Sequence, residues 1–119
     1  MPVQRAATPV RVVDFSALNY RHRLEIRGES FHLSALRQLQ RQSDSWPARL
    51  VREPHNQYDR NAIAVHIRGR IVGHVAREQA AELASTLDAW GGQGVMVEFD
   101  ATLCGGTRDK PNIGVFINN

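Results

Sequence analysis

The sequence predicts a small α+β domain in which two helices accompany an antiparallel sheet that curls into a partly closed barrel. Three patterns carry that expectation. Several short runs alternate apolar and polar residues, the period of a half-buried strand. Two longer runs place apolar residues at helical spacing. Glycine, proline and asparagine punctuate the junctions between runs. At 119 residues the chain is long enough for one domain with its own core.

Residues 1–19 read as an N-terminal arm, extended or partly disordered, ahead of a domain spanning 20–119. Val10-Arg11-Val12-Val13 is equally suited to an edge strand. From Tyr20 to Arg27, Leu24 and Ile26 alternate with charged residues, which predicts a strand ended by Gly28. Phe31 to Arg41 reads as a helix, with Leu33, Leu36 and Leu39 on its apolar stripe, Arg37 and Arg41 off it, and Ser30 placed to cap it. Ser43 to Pro47, carrying Trp46, reads as a loop. Ala48 to Arg52 and Ala62 to Ile67 read as strands. Arg68-Gly69-Arg70 is a hairpin turn into a strand from Ile71 to Val75. Ala80, Leu83, Ala84 and Leu87 predict a helix from Arg77 to Trp90, ended by Gly91 and Gly92. Gly94 to Leu103 and Ile113 to Ile117 complete the strands, around a loop at Gly105 to Asp109.

Composition narrows the function. The formal charge is +3, the sequence pI is about 9.7, and arginine supplies nearly all the positive charge. Arginine's planar fork suits phosphate better than a lysine point charge does; solvated surface arginines are the alternative. Cys104 is the single cysteine, so no intrachain disulfide forms, which fits a reducing cytoplasm. No apolar run approaches the length of a membrane span, and Arg5 and Arg11 interrupt any signal-like core. The expected location is cytoplasmic, with no membrane partner.

Pro54, Asn56, Asp59 and Asn61 favour turns, and the loop from His55 to Asn61 that they shape carries one aromatic residue, Tyr58, which makes it the first candidate site. Loops held by a rigid scaffold are where binding groups concentrate. The five histidines and one cysteine have no zinc-ligand spacing, so no metal is expected. There is no phosphate-binding Gly-Lys-Ser/Thr loop and no nucleophile elbow. His55 beside Glu53 and Asp59 forms an incomplete acid–base set, which ranks a hydrolase below a binding protein. No cofactor is expected, and no catalytic residue is assigned.

Nucleic-acid binding fits better. Aromatic faces stack on bases beside a basic groove that follows the backbone. Phe31 and Tyr58 stand at element junctions, and Arg77 opens the second helix, where free backbone N–H groups attract phosphate. Asp59 repels phosphate but accepts a hydrogen bond from a sugar hydroxyl, which suits a strand end. Each has a plainer alternative: Phe31 as a helix anchor, Tyr58 and Asp59 as turn residues, Arg77 as a solvated helix start. Arg52 and Glu53 read as strand-edge charges, and Asn56 and Asn61 as residues that shape the loop.

Three blocks resemble the HIRAN domain family: Gly28-Glu29-Ser30-Phe31-His32, then Arg52 to Val65, then Val72-Gly73-His74-Val75-Ala76-Arg77-Glu78. The central block is the most specific, and the resemblance spans roughly Arg23 to Asn118. It implies an OB-like barrel with two helices. It also implies a module that binds single-stranded DNA at a free 3′ end and serves replication-fork remodelling or repair. In that mode Phe31 and Tyr58 contact terminal bases, Asp59 receives the 3′-hydroxyl and Arg77 meets phosphate. Asn56 and Arg60 complete the expected DNA-binding set. Gln57 stands where the family usually has proline, Phe31 where the DNA-end binders carry tyrosine, and Ser30 where they carry a basic residue. The expected partners are single-stranded DNA or DNA ends, with a helicase or nuclease as protein partner; the alternative is a protein-interaction adaptor.

Overall fold

The computed structural model describes residues 11–118, so the first ten residues of the expected arm lie outside the described residues. Seven strands and two α-helices are present among the described residues: β1 (Arg11–Asp14), β2 (Ile26–Arg27), α1 (Leu33–Gln42), β3 (Ser45–Arg52), β4 (Ile63–Ile67), β5 (Arg70–Val75), α2 (Arg77–Gly92), β6 (Val95–Gly105) and β7 (Ile113–Ile117). Short 3-10 turns at Phe15–Leu18 and Glu29–His32 follow β1 and precede α1.

The sheet runs β1-β6-β3-β4-β5-β2, with β7 also on β6. Its centre, β3 through β5, is a meander of antiparallel neighbours joined by loops. The eleven-residue β6 is long enough to serve three partners: β3 along one edge, and β1 then β7 in succession along the other. The class is α+β as expected, but the sheet is mixed rather than antiparallel. β1 pairs parallel with β6, Val12 opposite Met96. No short hairpin joins these two strands, so nothing forces them antiparallel.

The sheet is also open, where a partly closed barrel was expected. Only Ile26 and Arg27 of the expected Tyr20–Arg27 strand join the ladder. Just before them the Glu25 carbonyl still accepts the Ala76 N–H at 2.8 Å, but the Glu25 N–H and the Arg23 carbonyl go to a side chain instead. The Glu25 N–H donates to Gln79 Oε1 at 2.8 Å, and Gln79 Nε2 donates to the Arg23 carbonyl at 2.8 Å. The amide of Gln79, the one buried polar side chain among the described residues, thus takes the place of a neighbouring strand.

The core lies between the sheet and the helices. Phe99, Leu36, Ile63, Ile67, Leu103 and Ile113 are fully buried, each stabilising the fold by about 1.5–3 kcal/mol. Ile63, Val65 and Ile67 share the inner face of β4 as their alternation predicts, and α2 contributes Ala80, Leu83, Ala84 and Leu87 at the expected spacing.

Local expectations differ from the structure at three places. Trp46 belongs to β3, not a loop; its Nε1 donates to the Ser43 carbonyl at 2.7 Å. Pro47 is tolerated in that strand because it lies beyond the last residue paired with β4. Ser30 caps nothing: the chain enters α1 through the 3-10 turn, opened by Gly28 in the left-handed region. Gly91 and Gly92 form the last turn of α2, and the left-handed residue that ends it is Gly94, with φ 77°.

Candidate nucleic-acid interface

The segment Glu53 to Ala62 connects β3 to β4, and its own polar groups set its shape. Asn56 Oδ1 accepts the N–H of Tyr58 at 2.9 Å and of Asp59 at 3.1 Å. Asp59 Oδ1 accepts the N–H of Asn61 at 2.9 Å. Asn56 Nδ2 donates to Glu53 Oε1 at 3.1 Å, which ties the tip to the base. These are the Asx-type bonds that Asn and Asp bring to turns.

Two charged residues anchor the loop. Arg52 is largely buried. It forms a two-pronged pair with Asp88 on α2, Nε to Oδ1 at 2.9 Å and Nη2 to Oδ2 at 3.3 Å. The same guanidinium donates to the carbonyls of Ala62 at 2.7 Å and Arg60 at 2.9 Å. Glu53 Oε1 lies 2.8 Å from Nε2 of His74 on β5. Partial burial resists ionisation of the Glu53 carboxyl. Its hydrogen bonds to His74 and Asn56, with the charges of His74 and His66, outweigh that and hold it below its usual range. Burial pushes His66 down, against the attraction of Glu53.

This scaffold presents Tyr58 with its ring 80% exposed. Asp59 lies beside it, half-buried, with Oδ2 3.9 Å from Nε of Arg77. That contact carries little energy at so exposed a cation. Asp59 also stands near the start of α2, where the helix dipole favours a carboxylate. Tyr58, Asp59, Asn56 and Arg77 form a ridge between two open grooves. One, of about 790 Å³, is completed by Arg52, Pro54, Gln57, Arg60 and Asn61. The other, of about 510 Å³, is bordered by Arg27, His74, Ala76 and Glu78. Arg27 reaches this border because β2 lies tight on β5: a Cβ at Gly73 would meet Ile26 Cγ2 at 2.7 Å and the Arg27 carbonyl oxygen at 3.0 Å.

The structure therefore gathers five of the six expected residues. Tyr58, Asp59, Arg77 and Asn56 line both grooves and Arg60 lines one, though most of the Asn56 amide is engaged within the loop. Phe31 lines neither groove. It sits in the 3-10 turn after Arg27 and Gly28, 86% exposed, so it is not a helix anchor. Among the described residues no cluster of three His, Cys, Asp or Glu is arranged to hold a metal. His55 is exposed; of the acids beside it, Glu53 pairs with His74 and Asp59 lies by Arg77.

Arg52 and Glu53 are more than the strand-edge charges expected of them, and the part that they and His74 play in the loop depends on register. Arg52 stands opposite Ile63 and His74 opposite Ala64, which brings both to the mouth of the β3–β4 connection.

The HIRAN domain family model matches residues 11–103. The chain belongs to the HIRAN domain family. The match begins at Arg11, the first residue of β1, and takes in the whole Tyr58 loop and both helices. HIRAN domains are DNA-binding, so membership supports nucleic-acid binding by this chain. No curated protein and no solved structure matches the chain. No helix among the described residues is long and apolar enough to cross a membrane.

Proposed function

We propose that this HIRAN domain is a non-catalytic module that recognises the free 3′-hydroxyl end of single-stranded or frayed DNA. One observation carries the reading: a nearly fully exposed tyrosine stands beside a carboxylate whose position is fixed from within its own loop, flanked by an arginine. The ring offers a stacking face worth about 1–3 kcal/mol per base. Asp59 Oδ2, held by no hydrogen bond among the described residues and only loosely paired with Arg77, accepts the terminal hydroxyl and disfavours a terminal phosphate, while Arg77 takes an internal one. Phe31 supplies a second apolar face, and Arg60 and Asn56 border the path. We take the sheet and its two helices as an OB-like arrangement, opened where β2 ends. The module would act in the cytoplasm in repair or fork processing, alongside a helicase or nuclease that supplies the chemistry.

Fluorescence anisotropy with labelled oligonucleotides that end in 3′-hydroxyl or 3′-phosphate tests this. The hydroxyl end is expected to bind at least about tenfold more tightly. Equal binding to both ends, weakening alike with salt, would sink the proposal.

A further inference from the structure

A second feature of the surface lies away from the Tyr58 loop. Helix α1 carries its apolar residues inward and leaves Ser34, Arg37, Gln38 and Arg41 exposed. Ser34, Gln38 and Arg41 continue at helical spacing from Phe31, so the exposed face runs on from the ring. Arg37 and Arg41 are four residues apart, a like-charge pair that works against the helix.

The two hairpins that flank α1 add to the same charge. Arg70 of the β4–β5 hairpin donates from Nη1 to Gln38 Oε1 at 2.6 Å, which brings that hairpin against the helix. Arg68, at the hairpin's tip, lies over the Trp46 ring at 5.7 Å. On the other side, Gln40 Nε2 donates to the carbonyls of Gly105 at 3.2 Å and Leu103 at 3.4 Å. That ties α1 to the base of the β6–β7 hairpin, whose tip carries Arg108 and Lys110. Six of the fifteen lysines and arginines thus lie on one short helix and its two flanking hairpins; Asp44 and Asp109 are the acids along these segments, and Arg68 also borders a groove that holds Glu98. None of the six has a carboxylate within 4.0 Å among the described residues.

We infer that the outer face of α1, with the two hairpins beside it, is a track for a polynucleotide phosphate backbone leading away from the bound end. This rests on the end-recognition reading and extends it. Unpaired arginines at a cost to the helix match a polyanion, and Phe31 joins the track to the end site. Arg37 and Arg41 are about 6 Å apart along the helix axis, so they meet neighbouring phosphates rather than the same one. The track reads charge and not sequence, because Arg, Lys and Gln side chains on a convex face contact phosphates rather than base edges.

The test pairs length with end chemistry. Anisotropy is measured for a 3′-hydroxyl dinucleotide, a ten-nucleotide single strand with the same end, and a ten-base-pair duplex with that end. Wild type is compared with Arg37→Gln/Arg41→Gln. In wild type the ten-nucleotide strand is expected to bind about tenfold or more tighter than the dinucleotide. The double variant should lose most of that gain and about 1.4 from the salt slope, roughly 0.7 per single-strand contact. Its dinucleotide affinity and its preference for the hydroxyl end should not change. A duplex that gains more than the single strand would place the duplex behind the end, rather than the strand itself, on the same track.

Retention of the full length-dependent gain by the double variant, or equal losses for dinucleotide and long strand, would overturn the track. So would a wild type that gains nothing from length, which would leave the patch to an acidic protein. Lack of end preference in wild type, with a length gain that still needs Arg37 and Arg41, would remove end recognition and leave the track standing. Thermal melting separates these outcomes from misfolding, because removal of a like-charge pair should leave the melting temperature unchanged or raise it.

Discussion

Two irregular segments lean on the same helix, and they hold the chain's two tyrosines in opposite ways. The Tyr58 loop is bolted to α2 through Arg52 and Asp88 and turns its ring outward. The segment from Phe15 to Glu25 is fastened to α2 through Gln79 and through a short hydrogen bond from the Tyr20 hydroxyl to Glu82, and its rings turn inward. Phe15 meets Phe99 and Tyr20 edge-on, at 6.5 and 6.3 Å between ring centres. Burial, with the neighbouring Glu82 carboxylate, pushes the Tyr20 phenol up to about 12. An inward ring has its polar handle satisfied by the protein. The Tyr58 ring leaves its face to solvent. The contrast teaches that backbone irregularity alone does not mark a site; a site needs internal bonding complete enough to hold an apolar group in water.

The largest break in that comparison should come from Gln79→Ala. It strips the Phe15–Glu25 segment of its side-chain ladder and should cost about 3 kcal/mol, seen as a lower urea midpoint. DNA affinity per folded molecule should not change. Tyr58→Ala should do the reverse, weakening end binding by about 2 kcal/mol, near thirtyfold, with stability within about 0.5 kcal/mol of wild type. Loss of stability in Tyr58→Ala would mean that the ring packs rather than waits. Arg52→Met should blur the two regions. It keeps the apolar stem but releases Asp88 and two loop carbonyls, so stability and DNA affinity should both fall by about 1 kcal/mol.

The smallest effect is in the pH dependence of stability. Glu53 and His66 both have lowered folded-state values, so the unfolded chain binds their protons first. Stability should fall below pH 6.5 as His66 is charged, and again below 4.5 as Glu53 is protonated. Tyr20 has the opposite sign: its contribution is intact below 10.0 and is lost as pH rises toward about 12. Glu53→Gln should flatten the fall below 4.5 and, by removing the attraction that opposes burial of His66, deepen the fall below 6.5, with the alkaline limb unchanged, while Tyr20→Phe should flatten only the alkaline limb. Urea midpoints across pH read both.

Much of this was legible in one dimension because local periodicity and turn chemistry act over a few residues. The apolar spacing of α2, the inner face of β4 and the β7 strand all follow from it, as does the polar Pro54–Asn61 loop with Tyr58 at its tip. The family likewise follows from blocks contiguous in the chain. Trp46 and the Tyr20–Glu25 segment misread for the same reason as each other. Whether an extended run joins a ladder depends on what lies beside it, and Ser45–Pro47 found β6 whereas Arg23–Glu25 found a glutamine.

The sequence by itself determined both helices, most of the strands, the loop and the family, because those depend on neighbours in the chain. Only the tertiary structure decided that β1 runs parallel to β6, that the sheet stays open, and that Arg52 and His74 hold the loop from two different elements. It alone placed Asp59 beside Arg77 and brought two arginine-bearing hairpins against α1. Charges and hydrogen bonds that join residues tens of positions apart leave no periodic trace. They are set by which strands pair and in what register, and that is the outcome of packing a whole core at once.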